Sequence, residues 1–409
     1  MRIVLVNRLL DRPGGEQLQL VQLARRLSGR GHQVHVITGY YDAAACYPRH
    51  LEGLDVRAVH GSRRADGSRS ASIFGRTLQH VAFRKRERDL GQSMARLFPA
   101  DIDLVNWHGA LPQPTWNAMH SSGSEVPWVW MCNDLPAPFY QLAALRRGED
   151  KTQLAVQVAK SLPRQLLTQV SVRNPPGIIT VLDEDNRWWW RRVLGRDAVR
   201  VPWGLEHSTD PVTPTERKPE EPFRLFAAGI IGPLRRFHET IEAVALARSR
   251  GLNVTFDICG EPSDPAYVAS LQARIDHHRL NDEIKIHGYL PYAEYLALRA
   301  RCHAMVLTMY GQTWGQVATE SVWSGLAAVL NDTATTLEVL PDGEASLVFK
   351  SGDPESLCAA IDRLYRDEAL RCRLVRQAQS IVRLFSWDRY VDAMEDLFVR
   401  VRGRSKLAK

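Results

Sequence analysis

Short apolar runs alternate with amphipathic stretches along this chain. Residues 3–6 are an apolar run, and Pro13-Gly14-Gly15 follows it. Leu20, Leu23, Ala24 and Leu27 then recur at helical spacing, Gly29 and Gly31 close that segment, and 32–38 read as the next strand. Strand, glycine turn, helix and strand in this order predict a βαβ unit. Further strand-like runs fall at 55–59, 103–107, 128–132, 177–182 and 199–201, mostly with long helical stretches between them. The pattern breaks at 207–222, where four prolines and several charges stand among almost no apolar residues, which reads as a linker. Alternation then resumes, with strands at 223–228, 254–258, 284–287, 304–308 and 327–330, helices between them, and helices at about 354–367, 368–384 and 387–402. This predicts an α/β protein of two parallel-sheet, Rossmann-like domains, 1–206 and 223–386, facing each other across a cleft. The last helix, 387–402, could pack back on the first domain. Ligands of open α/β sheets bind at the carboxyl ends of the strands, so the site is expected there.

Composition changes this picture little. The chain has 409 residues, 44% hydrophobic and 24% charged, which fits two packed domains and excludes a disordered chain. No apolar run approaches the roughly 18 residues of a membrane span, and the N-terminal apolar run reads as a strand rather than a signal peptide. Six scattered cysteines without a C-x-x-C pair argue against metal and disulfide frameworks and for a reducing cytosol. The net charge of +7 suits either an anionic partner or an arginine-rich proteome. No zinc-finger, KH or RRM signature is present, so nucleic acid is not expected.

Candidate chemistry concentrates at two glycine-rich turns. Pro13-Gly14-Gly15-Glu16 joins the first strand and helix, where glycines admit a ligand and a helix N-terminus favours an anion, although a plain tight turn has the same composition. The richer segment is 311–325, GQTWGQVATESVWSG, directly after a strand. Gly311 and Gly315 loosen the backbone there, a helix is expected from near Trp314, and Glu320 could accept from a ribose diol or simply face solvent. Trp188-Trp189-Trp190 cannot all face one core, and packing against the C-terminal helix between domains competes with an acceptor or membrane contact. Residues 83–88, FRKRER, with Ile73, Phe74, Leu78 and Val81, read as a solvated helix face or as a peripheral contact with an anionic membrane. Asp101 and Asp103 have metal-like spacing but precede a strand, so no metal site is assigned. Asp183-Glu184-Asp185 reads as a helix start.

The 311–325 segment resembles the nucleotide-sugar signature of glycosyltransferase family 4, retaining enzymes of GT-B fold, a pattern like E-G-F-G-L-V-x-x-E-A-M-A-C-G-x-P-V. Glu320 falls on its second glutamate and Gln312 replaces the first. Other stretches match in order. The Gly14-Gly15 loop with its helix resembles the N-terminal turn. Trp107-His108-Gly109 and Cys132-Asn133-Asp134 resemble two strand-end sites of the acceptor domain, with Asn133 where the family has a histidine near the donor sugar. V-P-W-G-L-E resembles P-N-G-V-D. A-G-I-I-G-P-L-R-R-F resembles G-R-L-x-P-x-K-G-V, with Ile230 for the arginine and Arg235 for the lysine. V-F-K-S-G-D-P-E-S-L resembles the late L-V-x-x-G-D-x-E-x-L, and Phe385-Ser386-Trp387 the F-S-W before the last helix.

The resemblance implies a cytoplasmic retaining glycosyltransferase, metal-independent and without a cofactor beyond its nucleoside-diphosphate-sugar donor. The acceptor would be a glycan, a lipid-linked saccharide or a small molecule. It implies catalytic roles for Gln312, Arg235, Asn133 and His108. The donor would be held by Gly14, Gly15, Arg235, Arg236, Thr313, Trp314, Gly315, Gln316 and Glu320. A nucleotide-sugar epimerase and a catalytically silent nucleotide-sugar-binding scaffold are the alternatives, the latter raised by Gln312, Ile230 and Asn133.

Overall fold

The computed structural model describes residues 1–61, 85–109, 115, 126–133, 177–206, 210–214, 216–309 and 314–407. Gly311, Gln312, Thr313, Asp134, Phe83, Arg84 and the apolar residues 73–81 beside them lie outside the described residues. The chain divides into two compact units, Met1–Gly204 together with Trp387–Lys409, and Leu205–Ser386.

The first unit is built on a parallel sheet of β1 (Arg2–Leu10), β2 (Gln33–Tyr41), β3 (Asp55–His60), β4 (Leu104–His108), β5 (Trp128–Met131), β6 (Gly177–Val181) and β7 (Val199–Arg200). Their order is β3-β2-β1-β4-β5-β6-β7. β4 and β5 are buried at every position, as strands covered on both faces must be. β1 and β2 run several residues past the expected ends and still pair at Leu9 with Tyr40. Polar residues do not end β1 because each finds a partner. The Asn7 side chain accepts from the Leu9 amide at 2.7 Å, and Arg8 donates to Glu87 at 2.9 Å.

Helix Glu184–Leu194 starts where the acidic triplet predicts, with Asp183 accepting from the Asn186 amide at 2.7 Å. Its tryptophans correct the interdomain expectation. Trp189 and Trp190 lie in the first unit's own core, Trp190 edge-on to Trp130 at 5.3 Å, and only Trp188 is largely exposed. The final helix, Trp387–Leu407, packs on β5, β6 and helix Gly15–Gly29 of the same unit. Trp387, Val391, Met394, Leu397 and Phe398 are buried in that contact, at about 1.5–3 kcal/mol for a large apolar side chain. The ion pairs along its rim, Arg26 to Asp388 and Arg30 to Asp392, are partly exposed and contribute about 0–1 kcal/mol each.

The second unit repeats the scheme with β8 (Phe223–Ala228), β9 (Val254–Cys259), β10 (Ile284–Gly288), β11 (Ala304–Leu307), β12 (Ala327–Asn331) and β13 (Leu347–Phe349), in the order β10-β9-β8-β11-β12-β13. Every pairing is parallel. The described part of the Pro-rich segment is not a loose tether. The Val212 amide donates to the Trp323 carbonyl at 2.9 Å, Gln379 donates to the Val212 carbonyl at 2.8 Å, and the Arg217 guanidinium lies 4.3 Å from the Tyr365 ring centroid. In each sheet the strand order reverses once, between β1 and β4 and between β8 and β11. Ligands of this topology bind at those reversals.

Candidate functional site

At the reversal in the second unit, β8 gives way to Gly229 at φ 138, a backbone state that side-chain-bearing residues rarely adopt. A Cβ there would stand 2.8 Å from the Arg235 guanidinium carbon, so glycine lets the Arg235 side chain lie across the strand end. Gly260, after β9, has φ 148, and its Cβ would stand 1.7 Å from the Gly229 carbonyl oxygen. The two strand ends can meet only as glycines. The chain then turns through a short 3-10 helix, Pro233–Arg235, into Arg236 at φ 52. Arg236 stands where the G-R-L-x-P-x-K-G pattern has glycine and keeps the left-handed backbone that pattern needs. Its guanidinium pairs with Glu239, which is buried in the first turn of helix Phe237–Ser249. Burial pushes the Glu239 carboxyl up, and Arg236 opposes that.

Across the reversal, buried Thr308 follows β11 and donates its hydroxyl to the Arg235 carbonyl at 2.5 Å, tying the two strand ends together. Trp314 is buried edge-on to Phe385 at 5.2 Å. Gly315 has φ 68, and a Cβ on it would stand 2.0 Å from the Thr336 hydroxyl. The helix begins at Gln316, close to the expected start, where Trp314 packs into the unit and Gly315 takes the left-handed capping turn. This helix, Gln316–Trp323, has no side-chain cap and no acidic residue in its first turn. Asp183, Asp264, Asp353 and Asp367 cap other helices of the molecule. Its first N–H groups and positive dipole end suit an anion.

Glu320 lies further along this helix and does not simply face solvent. Its Oε2 accepts from Arg299 Nη1 at 3.3 Å. Arg299 is buried, donates to the Tyr295 hydroxyl at 3.3 Å, and lies 5.1 Å from that ring's centroid. Burial pushes the Glu320 carboxyl up, and Arg299 opposes it. Exposed Tyr292 stacks on Tyr295 at 6.3 Å. Thr308, Glu239, Tyr295 and Arg299 also stand here, and no motif marks them in the sequence. Of these, Tyr295 and Arg299 follow Tyr292 at helical spacing on Tyr292–Arg299, a signal that was there to be read.

The first unit's strand ends are different. Gly14 is the extended N-cap of helix Gly15–Gly29, and its carbonyl accepts from the Tyr47 hydroxyl at 3.1 Å. Glu16 in the first turn is hydrogen-bonded by Asn7, and its carboxylate sits where a Cβ on Gly109 would be, at 2.2 Å. A carboxylate of the chain itself thus stands beside that helix start. His108 ends β4 fully enclosed, without a partner on either ring nitrogen among the described residues, and burial pushes its pKa down to about 3. Asn133 follows β5 and donates to Gln19 Oε1, a wholly buried amide, at 2.7 Å. Asp101 and Asp103 are engaged by Arg2, at 3.2 and 3.6 Å, and Asp103 also by Arg402 at 3.6 Å. The basic cluster's described part lies on a helix over 85–95, whose Glu87 holds Arg8.

The structure thus brings Arg235, Arg236, Gly315 and Gln316 to one reversal, with Glu320 on the same helix, and places Gly14, Gly15, His108 and Asn133 at the other. The model of the family described as Glycosyl transferases group 1 matches residues 211–381, the span that contains the first of these. The second unit is a group 1 glycosyltransferase domain. Relatives of this glycosyltransferase include a "D-inositol 3-phosphate glycosyltransferase" of Nocardioides sp., 23% identical over 98% of this chain and 89% of that one. A "Phosphatidyl-myo-inositol mannosyltransferase" of Mycobacterium leprae is 26% identical over 92% of this chain and 90% of that one. Among solved structures, Anabaena Alr3699/HepE in complex with UDP and glucose superposes with a TM-score of 0.70 at 16% identity, covering 98% of this chain and 100% of that one. Sucrose-phosphate synthase from Thermosynechococcus elongatus gives 0.70 at 18% identity, covering 98% and 99%. The fold class of this glycosyltransferase is therefore GT-B, two Rossmann-like parallel-sheet domains. No helix among its described residues is long and apolar enough to cross a membrane.

Proposed function

We propose that this glycosyltransferase retains the anomeric configuration and works without a metal, moving a sugar from a nucleoside-diphosphate donor held by the second unit to an acceptor hydroxyl presented by the first. The observation that carries this reading is the pairing, at one strand-order reversal, of the Arg235 turn with an uncapped helix N-terminus, tied by Thr308. Arg235 and the N–H groups at Gln316 meet the charge that develops on the departing diphosphate, an electrostatic role that needs no covalent intermediate. Glu320 accepts from the ribose. Gln312 and Thr313 keep the sugar-side roles that the sequence pattern gives them. Asn133 and the Gly14–Gly15 turn serve the acceptor side, and the enzyme acts in the cytosol, with the 83–88 cluster as a peripheral membrane contact.

A second reading, a nucleotide-binding scaffold without turnover, is favoured by Ile230, which is 55% exposed where the pattern has a phosphate-binding arginine. The test is turnover of the full chain with a panel of nucleoside-diphosphate sugars. Inositol phosphate and phosphatidylinositol are the first acceptors to try, after the two relatives' names. Transfer with retention in the presence of a chelator is the expected result. Nucleotide binding with no turnover across the panel would select the scaffold. Glu320→Ala should weaken nucleoside-diphosphate binding at least tenfold, about 1.4 kcal/mol, and unchanged affinity in a folded variant removes Glu320 from the site.

A further inference from the structure

Glu320 can serve a ribose only if its carboxylate is held in one orientation, and beside Gln316 on its own helix a charged group from another helix holds it. Arg299, at the end of Tyr292–Arg299, is 7% exposed. It reaches Glu320 Oε2 and the Tyr295 hydroxyl, each at 3.3 Å, with its guanidinium over the Tyr295 ring. Both bonds come from Nη1, so with the ring face they hold that end of the guanidinium between the Tyr295 hydroxyl and the Glu320 carboxylate. We infer that Arg299 is a positioning residue for donor binding, setting Glu320 so that the carboxylate meets the ribose hydroxyls. The inference rests on the nucleotide-sugar reading above. A guanidinium suits this work better than a lysine ammonium, because the two N–H groups of Nη1 are fixed in its plane, one toward the carboxylate and one toward the Tyr295 hydroxyl, while its flat face lies over the ring. Arg299 itself need not touch the nucleotide.

The experiment is calorimetric titration of the full chain with uridine, guanosine, adenosine and cytidine diphosphates, and with the 2′,3′-dideoxy form of whichever binds best. Arg299→Met should cost about tenfold in affinity for the ribonucleotide and leave the dideoxy form unchanged, since that ligand has no diol for Glu320 to accept from. Arg299→Lys should recover part of the loss. In a Glu320→Gln background, Arg299→Met should have no further effect on nucleotide affinity. A merely structural arginine would weaken both ligands alike and would add its loss to that of Glu320→Gln. Either result overturns the inference while leaving the donor reading in place. If Arg299→Met does not fold, the same cycle is run with Arg299→Lys, whose partial loss must again be confined to the ribonucleotide. Failure of the parent chain to bind any of the four diphosphates overturns the donor reading and this inference with it.

Discussion

At the strand ends of the first sheet neutral groups gather round one carboxylate, Glu16: Asn7 is bonded to it, Asn133 is bonded to Gln19, and His108 is without a partner among the described residues. At those of the second sheet the charged residues come in pairs, Arg236 with Glu239 and Arg299 with Glu320. Both sheets have the same topology through their sixth strand, so topology chose where the sites lie and side-chain chemistry chose what each can hold. A diphosphate needs cations and N–H groups, and beside these pairs the second sheet offers Arg235 and an uncapped helix start. Amides and a carboxylate suit a hydroxyl-bearing acceptor, which can both donate and accept hydrogen bonds.

The sharpest way to break the comparison is to spread the second unit's strand ends. Gly260→Ala puts a methyl group against the Gly229 carbonyl at a backbone angle that alanine resists. We expect a loss of about 3 kcal/mol or more in denaturant unfolding. A loss below about 1 kcal/mol would show that the strand ends need not touch. His108 tests the neutrality of the first site. Its native pKa of about 3 lies below the ordinary value, so between that value and about 6.5 the unfolded chain binds the extra proton and acid destabilises the native state. The contribution is up to about 1.4 kcal/mol per pH unit. His238 and His303 are also depressed by burial, each to about 4, so the informative quantity is a difference. Measured by thermal or chemical unfolding, Phe at position 108 should make stability less steep with pH below about 6.5 than in the parent. Parallel curves would mean that His108 can charge in place. The smallest effect sharpens the second site. Arg235→Ala should weaken nucleoside-diphosphate binding about tenfold, about 1.4 kcal/mol, and leave the monophosphate unchanged. Equal losses would make Arg235 structural.

Features set by local spacing are legible in the sequence. The alternation of elements, the Asp183 cap, the Gly229 turn and the placing of Glu320 all follow from nearby neighbours. What escaped depends on contacts between segments distant in the chain. Arg299 meets Glu320 only because β11 returns between their helices, and Thr308 reaches Arg235 only because β8 and β11 are adjacent. The tryptophan triplet was misplaced because helical spacing shows how many faces the residues occupy, not which core lies behind each one.

The chain leaves the first unit after Gly204 and rejoins it at Trp387, and where the second unit begins and ends, the Leu205 amide donates to the Phe385 carbonyl at 2.8 Å. The second unit is thus an insert whose two ends are fastened side by side. During synthesis, the helix that buries Met394 and Phe398 beside β5 and β6 emerges only after the whole insert has been made. The N-terminal unit, begun first, is therefore completed last, and until then the surface meant for that helix stays uncovered on the nascent chain, where chaperones or neighbouring nascent chains can reach it.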